Sequence, residues 1–241
     1  MDIAATLREQ LAAVRPYPQG MLEIPALDVG PIRGRSFFPG GTGRADNSDG
    51  DSARPDLLVV GNDFGRYDED YAAAVKRGYE LEAGTWSGIL KLLRDAKVAT
   101  ERCFFTNAVM GARSSKENTG KSPAMKDRGF VARCAEFLRL QVSVVQPIGI
   151  IMIGKNQASV VSAAFPELAQ LGRCKSWREI DESGIQFYDG LRVSECAPIR
   201  FGAFMHPSHR AGNMAQHGRR FRDFKDDAAE IEMLRLLSCG R

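Results

Sequence analysis

The stretch LLVVG, residues 57–61, is apolar at four successive positions and closes on a glycine. A strand with one wet face alternates apolar and polar residues. A short continuous run is instead the pattern of a strand covered on both faces. Three more runs of this kind follow: CFFTNAV (103–109), IGIIMIG (148–154) and IRFGAFM (199–205). The stretches between them carry helical spacing. The pattern predicts helices over Tyr71–Tyr79, Trp86–Ala96, Met125–Val145 (stopped by Pro147), Gln157–Ala164 and Asp223–Leu237. Residues 172–197 are less regular and leave room for a small hairpin. Strands alternating with helices imply parallel pairing through right-handed crossovers. The expected fold is therefore α/β, a three-layer α/β/α sandwich around a central, mainly parallel four-stranded sheet.

Ahead of the first run the character changes. Ile3, Leu7, Leu11 and Val14 recur at helical spacing over residues 2–14. A Pro/Gly-punctuated segment follows, and PGGTGRADNSDGDSARPD (39–56) has almost no apolar content. Residues 1–56 read as an N-terminal helix with a partly mobile extension, and residues 57–241 as the α/β domain.

With 44% hydrophobic residues in 241, the chain can fill a core, and no apolar run approaches 18 residues. The opening MDIAATLREQL lacks the layout of a signal peptide, so a cytoplasmic monomer is expected. The five cysteines include no C-x-x-C pair, which argues against a zinc ribbon or an iron–sulfur cluster. No metal and no cofactor are expected. A net charge of +3 says little by itself. Its distribution says more: Lys116, Lys121, Lys126 and Arg128 crowd one loop, and Arg219, Arg220, Arg222 and Lys225 another. SSKENTGKS has serine where a phosphate-binding loop needs its first glycine.

Sheets of this type bind ligands beyond the carboxyl ends of their strands. Gly61-Asn62-Asp63-Phe64-Gly65 follows the first run, and Asn107 lies within the second. Gly154-Lys155-Asn156 follows the third, and His206-Pro207-Ser208-His209-Arg210 the fourth. One rim thus gathers a carboxylate, amides, a basic turn and an imidazole, which marks it as a candidate site.

These four segments, in this order, resemble the motifs of the uracil-DNA glycosylase superfamily. GNDFG is similar to the family's first motif, FFTNAV to its strand ending in asparagine, IGKNQA to its glycine turn, and MHPSHR to its His-Pro-Ser motif. The resemblance covers about residues 57–237. It implies that Asp63 positions a water and stabilises the sugar cation, while His206 holds the departing base anion. Asn62, Phe64 and Asn107 would contact the base. Lys155 and Ser208 would contact phosphates, and Arg210 falls where relatives place a wedge in the vacated stack. Phe64 stands where the family commonly has proline, and Gly65 where uracil-strict members have tyrosine. The stacking aromatic is open among Phe64, Tyr79 and Trp86.

The chemistry suits these residue types. Breaking an N-glycosidic bond builds positive charge on the sugar and negative charge on the base. A carboxylate answers the first and a neutral imidazole donor the second. An amide donates and accepts at once, so it can read a pyrimidine edge. The expected function is a glycosylase that flips a deaminated base, most simply uracil, out of DNA. Glu80 and Glu82 are expected to be solvated residues near a helix start. Two alternatives remain open: a nucleic-acid-binding module of the same fold, and a hydrolase acting on nucleosides or nucleotides.

Overall fold

Parallel strands need long crossovers, so the helices that supply them set the layers of this protein. The computed structural model describes residues 3–24, 56–67, 85–116, 120–193 and 196–239. The N-terminal half contains α1 (Ile3–Leu11), β1 (Met21–Leu22), β2 (Leu57–Gly61), α2 (Thr85–Asp95), β3 (Cys103–Asn107), β4 (Ala112–Arg113) and α3 (Arg128–Val145). It continues with β5 (Gly149–Ile153), α4 (Ala158–Ala164), α5 (Trp177–Glu182), β6 (Phe187–Leu191) and β7 (Ile199–Phe204). The chain closes with α6 (Arg210–His217), β8 (Arg220–Phe221), β9 (Phe224–Lys225) and α7 (Asp226–Ser238). The predicted helix Tyr71–Tyr79 and the polar segment up to residue 55 lie outside the described residues.

The main sheet has the order β3-β2-β5-β7-β6. All four expected strands are present and pair in parallel. The sheet has five strands rather than four, because β6 adds an antiparallel edge beside β7. FYDGL is mostly half-exposed, so it leaves no continuous apolar run to read. Its register shifts between Asp189 and Leu191.

Side chains alternate across each strand, and the two faces recruit different helices. Leu58, Val60, Phe104, Ile150, Met152, Phe201 and Ala203 share a core with α1, α3 and α4. Leu57, Val59, Phe105, Ile151, Ile153 and Phe204 share one with Ile89 and Leu93 of α2 and with Met233, Leu234 and Leu237 of α7. Fully burying a side chain of this size contributes about 1.5–3 kcal/mol, so the three layers follow from the continuous runs.

Helix ends depart from the sequence reading for local reasons. α3 starts three residues late, because Pro123–Lys126 forms a 3-10 turn. Asp127 then caps α3 by accepting from the Phe130 N–H at 2.9 Å. The helix stops at Gln146, which takes φ 51° ahead of Pro147. The last helix begins at Asp226 rather than Asp223, since β8 and β9 form a tight hairpin there. The hairpin packs Phe221 on Phe187, ring centroids 5.2 Å apart. At the other end of the chain, Leu7, Leu11, Val14 and Met21 belong to the same core as the sheet. Arg133 of α3 donates to the Val14 and Pro16 carbonyls at 3.0 and 2.7 Å. Residue 57 therefore begins the sheet, while residues 3–24 share its core.

One member of the expected basic cluster is not on the surface. Arg219 is 1% exposed, lies over the Trp177 ring at 4.9 Å and donates to the Ala203 carbonyl at 2.9 Å. It also faces Asp181 at 3.2 Å and Glu230 at 3.5 Å. Only Arg220, Arg222 and Lys225 of that cluster are exposed. Burial pushes the Asp181 carboxyl up to about 6 against the opposing pull of Arg219. A carboxyl raised above its unfolded value near 4 adds stability that is fully present below that value. This stability is lost as pH rises through about 6. We expect the Asp181→Asn protein to lack this fall between those two pH values. Urea unfolding across the interval checks it, and equal pH slopes for the two proteins would remove Asp181 from the account.

Candidate functional site

The register of β2 against β3 aligns Gly61 with Asn107, so both chains leave the sheet side by side. The two loops then zip together. Ala108 N–H donates to Gly61 O at 3.0 Å, and Val109 N–H to Asn62 O at 2.9 Å. Phe64 N–H donates to Gly111 O at 3.2 Å, and Arg113 N–H to Gly65 O at 2.7 Å. A side chain at residue 61 has no room, because a Cβ there would lie 2.3 Å from Asn107 Oδ1. Glycine at this position lets the Asn107 amide lie across the end of β2. Asn107 is 2% exposed, and its Nδ2 has no hydrogen-bond partner among the described residues. Asn62 Oδ1 is likewise buried and unpartnered. Natural structures rarely leave such groups unsatisfied. Asn107, the last residue of β3, and Asn62, in the loop after β2, thus leave one donor and one acceptor without a partner among the described residues.

Asp63 is not free in the rim. Its Oδ2 accepts from Arg113 Nε at 2.8 Å, and both side chains are at most 5% exposed. Its Oδ1 accepts from the Gly65 N–H at 3.1 Å, and Asn62 Nδ2 approaches Oδ2 at 3.4 Å. Arg113 was not among the expected site residues. It lies fifty positions from Asp63, at the end of β4, where β1 pairs alongside. Its Nη2 donates to Gly120 O at 2.9 Å, and Asn156 Nδ2 donates to the same carbonyl at 3.1 Å. Gly120 thus brings the basic loop against the turn after β5. Lys116, Lys121, Lys126 and Arg128 are all exposed along that loop.

Gln157 is a second residue the sequence did not single out. It is fully buried and donates from Nε2 to Ile153 O at 2.6 Å and to Val60 O at 3.2 Å. It therefore ties the end of β5 to the end of β2, and its Oε1 has no partner among the described residues. No local pattern distinguishes such a glutamine from an ordinary helix start.

His206 follows β7 on the same rim. A Cβ at Gly88 of α2 would lie 2.5 Å from Pro207 Cβ, so glycine there admits the turn that carries the histidine. His206 Nδ1 accepts from the Ser208 N–H at 3.3 Å. Burial, with His209 adding to it, holds the imidazole below its ordinary range. The ring is therefore neutral at pH 7, with its proton on Nε2. Three strand spacings separate β3 from β7, roughly 14 Å at about 4.8 Å each.

The remaining expected contacts are placed as follows. Phe64 is 6% exposed and its ring belongs to the core. Trp86 is the second residue of α2, while Tyr79, Glu80 and Glu82 lie outside the described residues. Ser208 is exposed beside His206. Lys155 Nζ donates to the Lys175 carbonyl. Arg210 pairs with Asp227 at 2.7 Å and with Glu230. Cys103 and Cys134 are buried and the other three thiols at least partly exposed. Among the described residues no group of three or more His, Cys, Asp or Glu could hold a metal ion. No helix there is long and apolar enough to cross a membrane. No family model matches the chain, and no curated protein matches it.

Proposed function

We propose that this protein is a DNA glycosylase that flips a deaminated pyrimidine, uracil in the first instance, and hydrolyses its N-glycosidic bond. One observation carries the reading. A buried amide donor on Asn107 and a buried acceptor on Asn62, neither partnered among the described residues, stand on the rim that also carries His206, whose Nδ1 accepts the Ser208 N–H. A uracil edge offers an acceptor and a donor, so the two amides complement it. The Nε2–H of His206 donates to a base oxygen as negative charge builds there. The order of the four motifs adds to this reading.

Asp63 enters as a fixed anion. Arg113 and the Gly65 N–H hold its carboxylate in place, so its role toward the sugar is electrostatic. Ser208 and the exposed lysines of the 114–128 loop supply phosphate contacts. Arg210 is not assigned the wedge, since it would have to abandon two carboxylates to reach a stack. The Asp63–Arg113 pair also favours a second reading, a binding module that accepts an extruded base without cutting it. Incubation with uracil-containing DNA, followed by alkali to break abasic sites, separates the two. Strand breaks support the glycosylase, and tight binding without breaks supports the module.

Asn107 decides base choice on this reading. Asn107→Asp replaces the donor with acceptors, and uracil release is expected to fall by about a hundredfold, the loss of a buried hydrogen bond made in the transition state. Discrimination between uracil and cytosine should narrow as well. A competition assay on mixed oligonucleotides reads both effects, and an unchanged ratio would take Asn107 out of recognition.

A further inference from the structure

The turn that carries His206 is held from behind by two carboxylates of α7: Asp227 bonds Arg210 alone, and Glu230 bonds both ends of the turn. Glu230, fully buried in α7, accepts the Met205 N–H on Oε1 at 2.8 Å. Its other oxygen, Oε2, takes Arg210 Nη1. Met205 immediately precedes His206, and Arg210 is the first residue after the Pro207–His209 turn. One side chain therefore bonds both ends of a short loop whose middle is exposed at Ser208 and His209. Arg219 fixes Glu230 in turn at 3.5 Å, and is itself anchored on the Ala203 carbonyl and on Asp181. A carboxylate taken wholly out of water costs several kcal/mol unless geometry and charge repay it. An apolar residue would fill the same space more simply, but it could not clamp two loop ends.

We propose that Glu230 is the positioning residue for His206, acting through Met205 and Arg210 to fix the imidazole where its Nε2–H meets the departing base. The proposal rests on the glycosylase reading for its kinetic consequence only. The position and tautomer of the ring are measurable without any activity. Glu230 ties the two loop ends to each other, with Asp227 also on Arg210, while the Ser208 N–H selects the tautomer within the loop so held. Loosening the ends weakens that 3.3 Å bond and lets the proton exchange between ring nitrogens.

The experiment uses the whole chain with 15N-labelled histidine. Wild-type His206 is expected to show one neutral tautomer, protonated on Nε2. Glu230→Gln keeps the shape and an oxygen for Met205 but loses the charge that ties Arg210 to the Met205 end of the loop, leaving Arg210 to Asp227 alone. His206 should then show mixed tautomers. The kcat on uracil-containing duplex should fall about tenfold or more, as displaced catalytic groups do, with KM within about twofold. Arg210→Met leaves Glu230 paired with Arg219 and serves if the first variant does not fold; the same change in tautomer is expected from it. A folded Glu230→Gln or Arg210→Met protein whose His206 shifts equal those of wild type would overturn the proposal, whatever its stability. If the tautomers mix in the variants but the wild-type protein releases no uracil, the positioning role stands and the glycosylase reading falls.

Discussion

Asp63→Asn should slow base release by a hundredfold or more, about 2.7 kcal/mol of barrier or above. It should also lower stability by about 3 kcal/mol. The two effects have different origins. The first follows because an amide cannot stabilise a cationic sugar as an anion does, so the loss belongs to kcat rather than to KM. The second follows from Arg113, which would be left 3% exposed beside a neutral group. Removing one partner of a buried pair is far more costly than removing both. The double variant Asp63→Asn with Arg113→Met is therefore expected to recover most of the stability and none of the activity. Single-turnover cleavage and urea unfolding of the three proteins test this together. Recovery of cleavage along with stability would show that Asp63 serves the fold alone. A single variant within tenfold of wild type would remove it from the chemistry.

Arg219→Met should be the most damaging substitution away from the rim. It deletes the ion pairs to Glu230 and Asp181, the bond to the Ala203 carbonyl and the stacking over Trp177. It leaves Glu230, with no exposure to water, dependent on Arg210. The expected loss is about 3–5 kcal/mol, the usual cost of breaking a buried ionic network from one side. Arg219→Lys should recover little, because one ammonium cannot reproduce a planar fork with several partners. Chemical denaturation measures both. A loss under about 1 kcal/mol for the methionine variant would mean that the α7 carboxylates are satisfied without it.

The sheet was legible because burial on both faces writes itself into consecutive residues, as at Leu57–Val60 and Gly149–Ile153. The edge strand Phe187–Leu191 was not, since half its surface meets water and the apolar run disappears. The rim residues could be named because each stands at a strand end, and strand ends are readable. Their partners could not. Arg113 looks like one more cation after an alanine, and only a contact across fifty positions makes it the counter-charge of Asp63. Arg219 sits among arginines that do face solvent, so composition assigned it to the surface. Arg210 is readable as part of the loop after β7, but its pairing depends on Asp227 and Glu230, which belong to a helix seventeen and more residues later.

The break in register between Asp189 and Leu191 bears on association between copies of this chain. An edge strand with a regular ladder of free amides and carbonyls is a template for another chain. Here β6 pairs inward with β7, then loses step where Arg200 lies 3.7 Å from Asp189. The bulge twists the outer side out of line, and the charged Asp189 at that point resists a second strand. A sheet rich enough in valine, isoleucine and phenylalanine to grow sideways is thereby given a rim that does not propagate at β6.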